Sequence, residues 1–208
     1  YTATFEEDAT KWANITFAPG TNGTIASTET ISYKVLKSKT LTASGVKAPA
    51  VTANPGYTFV EFKNAGAALD LTTRPSGDAT YTATYTEKAN ITITYNAGTG
   101  GTVGIASESV APASGTATGT TASANSGYTF KNWTNSAGTV VTTTAKITPS
   151  KVGGVFETET YTANFLKNVI PVTNPGTTPV PAGYVRITFE KGDHGTLIGT
   201  EVFDVLEG

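Results

Sequence analysis

Cysteine and methionine are both absent from the 208 residues, and histidine occurs once. Those absences exclude disulfides and thiolate chemistry and remove the side chains most easily oxidised, which suits an exposed, extracytoplasmic setting. Charge is scarce as well: 14% of residues are charged, against roughly 25% in ordinary soluble domains. Fourteen basic and 16 acidic residues leave a formal charge of -2, with no long run of either sign to draw in a phosphate backbone or an anionic lipid surface. No nucleic-acid partner is expected. No apolar run approaches the ~20 residues of a membrane span, so no direct membrane insertion is expected either. The chain opens inside a strand-like segment rather than with a signal peptide, and reads as an excised piece of a longer protein.

What fills the space is threonine and glycine, 42 and 22 residues respectively. Threonine is β-branched and suits a pleated, half-exposed surface. The pentapeptides YTATF at 1–5, YTATY at 81–85 and YTANF at 161–165 recur at equal intervals, since 81−1 = 80 and 161−81 = 80. In each, aromatic and alanine side chains alternate with polar ones, the pattern of a half-buried strand. A second marker also appears three times. Phe17, Tyr95 and Phe189 are each followed by glycine three and six positions on, then by threonine and an aliphatic residue. The glycines are Gly20 and Gly23, Gly98 and Gly101, Gly192 and Gly195, and they are expected as structural turn residues.

This marker reads as a strand, a glycine-bearing turn supplying positive φ, and a return strand, with Asn22-Gly23 a short-range hairpin signal. A third marker occurs twice, as Gly56-Tyr-Thr-Phe-Val-Glu-Phe62 and Gly127-Tyr-Thr-Phe-Lys-Asn-Trp133. Phe59 and Phe62 differ in parity, as do Phe130 and Trp133, so a regular strand would send them to opposite faces. A bulge or bend is therefore expected between them. Helix signals are poor, and a short helix or helical turn fits best around 43–51 and 113–124. The ordered markers give a closing strand of a preceding repeat at 1–11 and repeat domains at 12–88 and 89–167. A Pro-rich linker at 168–183 and the opening hairpin of a truncated following repeat at 184–208 complete the chain.

Taken together, these markers resemble the B-repeats of internalin-type proteins and related tandem repeats of Gram-positive and gut-bacterial cell-surface proteins. The Asp204-Val-Leu-Glu-Gly208 segment is similar to a stretch that follows the second strand in that family. The resemblance implies a mainly β fold, α+β with minimal helix, built as tandem small β-grasp-like (ubiquitin-like) units. It implies an extracellular location on the bacterial cell surface, no catalytic residue and no cofactor. Two roles follow from it: a stalk or spacer that projects a functional domain from the envelope, or an adhesive module that binds host protein or glycan.

Reactive constellations are thin. A Ser-His-acid triad would have to use His194, which lies in the third glycine turn, and no Gly-x-Ser-x-Gly elbow occurs. His194 with Asp193 and Glu190 offers too few ligands for a rigid metal site, and Glu6-Glu7-Asp8, the densest acidic run, reads by default as solvated. Phosphate cradling needs a helix N-terminus or a basic flank, and two of the three Gly-x-x-Gly turns, at Gly20–Gly23 and Gly98–Gly101, offer no cation, so a plain turn is the expected reading. A Lys-Asn isopeptide bond would draw on Lys34, Lys146 or Asn164, but needs an apolar pocket that sequence does not reveal. Trp12 is not absorbed by the repeated aromatic positions, and stands as an inter-domain packing residue or a binding residue. The incomplete terminal repeats also allow head-to-tail self-association between copies.

Overall fold

The computed structural model describes residues 8–208; the closing strand expected at 1–5 lies outside them. The structure is mainly β, with several small sheets and almost no helix. The chain divides into two compact units, one running to Ala89 and taking in Ala111–Ser114 and Gly153–Val155, the other comprising Asn90–Val110, Gly115–Val152 and Phe156–Gly208.

In the first unit the strands are β1 (Trp12–Ala18), β2 (Gly23–Ile25), β3 (Ser32–Leu36), β4 (Val51–Ala53), β5 (Tyr57–Asn64), β6 (Ala67–Ala68) and β7 (Ala79–Glu87). They form a five-stranded sheet in the order β3-β1-β7-β5-β6 and a separate β2-β4 pair. The opening strand β1 and the closing strand β7 lie side by side and parallel, with Phe17 opposite Tyr81. Alternation decides the faces: Ala13, Ile15 and Phe17 are buried on one side of β1 while Asn14 points to solvent on the other.

The second unit repeats this plan with β8 (Ile91–Ala97), β9 (Gly101–Val103), β10 (Ser107–Val110), β11 (Thr120–Ala124), β12 (Tyr128–Thr134), β13 (Val140–Thr142), β14 (Lys146–Ile147) and β15 (Glu159–Lys167). Its main sheet runs β10-β8-β15-β12-β13, again with a parallel opening and closing pair, and Tyr95 opposite Tyr161. A smaller sheet, β14-β11-β9, takes the place of the β2-β4 pair. The same unit also holds a third sheet, β16-β18-β17, made of β16 (Val169–Pro171), β17 (Tyr184–Thr188) and β18 (Val202–Leu206).

Two expectations need correction. The segment after the glycine turn does not return along the opening strand. Instead β2 pairs with β4 and β9 with β11, while β3 and β10 run antiparallel to β1 and β8. The cause is edge occupancy: β1 has β7 on one edge and β3 on the other, so β2 must satisfy its backbone groups elsewhere. The helical expectation is met only by a one-turn 3-10 helix, Thr42–Ser44, ended by Gly45 at φ 78°. Strand β11 takes Thr120–Ala124 at the end of the second stretch and β4 only Val51 of the first, and turns and irregular chain make up the rest, in keeping with the poor helix propensity of threonine and glycine.

The bulge is where parity requires it. Pairing with the closing strand shifts between Phe59 and Glu61 in β5, and between Phe130 and Asn132 in β12. The extra residue restores Phe59 and Phe62, and Phe130 and Trp133, to the same core.

Candidate functional site

Each unit has its own apolar core, and the two cores share no residue. In the first, the Phe17 ring meets Phe62 edge-on at 5.1 Å and Tyr81 at 6.1 Å, and Phe59 meets Phe62 at 5.4 Å and Tyr85 at 5.9 Å. In the second, Tyr95 meets Trp133 at 6.0 Å and Tyr161 at 6.1 Å, and Phe130 meets Trp133 at 6.4 Å and Phe165 at 5.8 Å. The same five positions make the same contacts twice. Offset and edge-on pairs at these separations add to the area they bury, by about 0.5–1.5 kcal/mol each.

The turn glycines serve this core in two ways. Gly20 has φ +69°, the left-handed conformation that a side chain would strain. Gly23 and Gly101 have no such backbone need; they are glycine because an aromatic ring of the closing strand lies where a Cβ would stand. At Gly23 the obstruction is the Tyr85 ring and hydroxyl, which donates to the Pro19 carbonyl at 2.8 Å; at Gly101 it is the Phe165 ring. Gly98 likewise faces the Ala163 carbonyl, as Gly20 faces that of Ala83. Sequence reasoning found the positions and assigned all six to turn geometry; the close approach, which governs Gly23, Gly98 and Gly101, requires knowing that the closing strand lies overhead. Gly192 and Gly195 have open space around them.

Polar groups at the cores act structurally. Tyr95 donates a short hydrogen bond to the Glu108 carboxylate, which also accepts from the backbone amides of Thr118 at 2.7 Å and Gly119 at 3.1 Å. Burial disfavours the Glu108 anion, yet the Tyr95 hydroxyl and the two amides outweigh it and hold the carboxyl below its ordinary range. Burial, then the neighbouring carboxylate, push the Tyr95 phenol far upward, so it remains a neutral donor. Asp78 accepts from the Asn14 backbone amide at 2.7 Å and side-chain amide at 3.3 Å, and these bonds lower its pKa. In the third sheet, Arg186 pairs with the buried Asp204 at 2.9 Å and donates to the carbonyls of Pro175 and Thr178, each at 2.9 Å. The Pro-rich segment is thus held against one face of that sheet.

The remaining candidates fall into structural places. Trp12 begins β1, half-buried, with the Lys34 ammonium 5.3 Å from its ring centroid. The Asn164 amide donates to Asn132 Oδ1 at 3.0 Å and Thr134 Oγ1 at 3.1 Å, a network across β12 and β15. Asp8 accepts from the backbone and hydroxyl of Thr10, capping the 3-10 turn Ala9–Lys11. His194, Asp193 and Glu190 are exposed in the segment between β17 and β18. Among the described residues, no three His, Cys, Asp or Glu side chains come together as a metal-binding group, and no helix is long and apolar enough to cross a membrane.

No curated protein and no solved structure matches the chain. A family model does match, that of the divergent InlB B-repeat domain, over residues 91–169. That span starts at the first residue of β8, passes through the Gly-Tyr-Thr-Phe strand and ends just beyond the closing strand β15. The family is typical of bacterial cell-surface proteins and is usually non-catalytic. Over residues 91–169 the chain is similar to the divergent InlB B-repeat domain, the internalin type that its repeated markers resemble.

Proposed function

We propose that these residues are non-catalytic stalk or spacer repeats of a bacterial cell-surface protein, β-grasp-like units that hold a functional domain away from the envelope. The observation that carries this reading is the duplication of a closed core: Phe17, Phe59, Phe62, Tyr81 and Tyr85 in one unit answer Tyr95, Phe130, Trp133, Tyr161 and Phe165 in the other. What is repeated between the units is packing, and among the described residues no buried side-chain nitrogen or oxygen lacks a hydrogen-bond partner. The parallel pairing of the first and last strands supports the β-grasp type and suits load bearing, because a pull on a repeat's ends shears that pair along its length. In this reading Trp12 stiffens the entry to the first repeat.

Force spectroscopy on the chain tethered at its two ends tests the reading. The expected result is two discrete unfolding events, each releasing about 250 Å of contour at ~3.4 Å per extended residue. Gradual extension without such events would overturn it. A glycan array and a host-protein pull-down with the same chain discriminate the adhesive alternative, in which a saturable ligand would be captured.

A further inference from the structure

In the first unit, Asn64 at the end of β5, the segment leading into β7, and Ala79 and Tyr81 within β7 line an open cavity of about 260 Å³. Its polar lining is left over from the fold. The Arg74 guanidinium, the Asn64 amide and the hydroxyls of Ser76 and Tyr81 make no hydrogen bond or ion pair among the described residues. Asp78 is the exception. One of its carboxylate oxygens accepts from the Asn14 backbone amide at 2.7 Å and the other from the Asn14 side-chain amide at 3.3 Å, with the Lys37 charge near enough to favour the anion. Arg74 therefore carries the cavity's one uncommitted charge.

The second unit indicates what kind of group fits there. Ala79 stands opposite Ile15 in the parallel pair, and the residue in the same register of the second unit, opposite Ile93, is Glu159. The Glu159 carboxylate accepts from the Ser136 amide at 3.2 Å and the Thr160 amide at 2.8 Å, which ties β15 to the turn between β12 and β13. Asn135, two residues past Trp133 as Asn64 is two past Phe62, accepts from the Thr139 amide at 2.9 Å. That end of the second unit is thus closed by a carboxylate of its own. The first unit has alanine in its place, beside an amide and a guanidinium that have no partner.

We propose that this cavity binds a single carboxylated sugar ring, a uronate or a sialate. Arg74 takes the carboxylate, because a planar guanidinium fork matches its two oxygens with parallel hydrogen bonds. The Asn64 amide and the Ser76 and Tyr81 hydroxyls can each donate and accept, which suits ring hydroxyls, and the lone pairs left on Asp78 accept from one more. A phosphate or sulfate would bring more negative charge beside Asp78, and a simple aliphatic acid would leave the neutral polar groups without partners. Size sets the rest: the cavity is smaller than the ~300 Å³ at which pockets for drug-sized ligands begin, so it holds one ring. An open site with one charged pair gains little beyond the cost of association, and a Kd of about 1 mM is expected. The inference does not rest on the spacer reading, since a repeat can hold a sugar and still unfold as one unit, and each fails or survives separately.

Heteronuclear NMR titration of the isotope-labelled chain with sodium glucuronate and with N-acetylneuraminate, each to about 50 mM, is the test, with glucose and acetate as controls. Saturable shifts are expected at the Asn64 side-chain amide and at the backbone amides of residues 73–81 with at least one of the two acids, and the tighter binder names the source. Glucose and acetate should each bind about tenfold more weakly or worse, for want of the carboxylate or of the ring. Arg74→Gln, an exposed substitution, should weaken the acid by a similar factor, and so should Ala79→Glu, which copies the second unit's own carboxylate into the cavity. Spectra that match the parent away from residues 64–81 confirm that the variants fold. No saturable shift with either acid, a control that binds as tightly as the acids, or an Arg74→Gln chain that binds as the parent does overturns the proposal.

Discussion

At the scale of single residues, the core is specified by a few side chains whose neighbours leave little room for change. Adding a Cβ at residue 101 drives it into the Phe165 ring, a buried overpacking that costs about 1–3 kcal/mol. Gly101→Ala is therefore expected to lower the second unit's denaturant midpoint, while Gly195→Ala, made in open space, stays within about 0.5 kcal/mol of the parent. Trp133 is fully buried and its Nε1 donates to the Ala145 carbonyl at 2.9 Å. Truncation to alanine should cost about 3–5 kcal/mol. Trp133→Phe should cost nearer 1 kcal/mol, because Phe62 fills the equivalent place in the first unit and the Ala145 carbonyl keeps its bond from the Ala122 amide. Glu108 gives a pH signature. Its folded-state pKa lies below the ordinary carboxylate value, so its contribution is present above about pH 4.5 and is lost as pH falls through the folded value. Glu108→Gln should flatten the acid limb of the second unit's stability, measured by urea titrations from pH 7 to pH 3, and an unchanged limb would exclude this carboxylate as its source.

Elements show how far alternation alone can be taken. The closing strands and the opening strands were legible because each buries one face, and period-two patterning then fixes both type and orientation. The bulges were legible from a contradiction within that same rule, aromatic residues three apart that both belong inside. Pairing was less accessible. Three-residue strands such as β2 and β9 carry too little pattern to name a partner, and their true partners lie far along the chain, at β4 and β11. The turn glycines were visible as positions, but the rings above Gly23 and Gly101 come from a strand some sixty residues away, a proximity no local signal contains. The fold of the Pro-rich segment onto the third sheet was hidden for a similar reason, since it depends on Arg186 reaching two loop carbonyls. One consequence tests the bulge directly. Lys131 is the residue left over when pairing resumes at Asn132, and it is exposed. Lys131→Ala should be near neutral, and deleting Lys131 should keep the second unit's cooperative transition as well, because Phe130 and Trp133 then stand two positions apart and share a face without a bulge. Loss of the transition on deletion would mean that the shift in pairing does not set the facing of the aromatics.

For the whole molecule, the decisive property is that two cores of like composition close without sharing a side chain. A mechanical or spatial role needs units that survive on their own, because an array with one continuous core would lose all of its length in a single failure. Independence makes a quantitative demand. Phe62→Ala removes the residue that meets both Phe17 and Phe59, and Trp133→Ala removes its counterpart, which meets Tyr95 and Phe130. In a domain of this size each kcal/mol displaces the melting midpoint by about 4–8 °C, so either truncation should move one calorimetric transition down by 10 °C or more. The other transition should stay within about 2 °C, since effects at sites with no shared partners add nearly independently. Calorimetry of the two single variants and the double variant measures this. If either single substitution dragged both transitions down together, the units would be one cooperative body, and the similarity of their interiors would have to be explained by something other than modular construction.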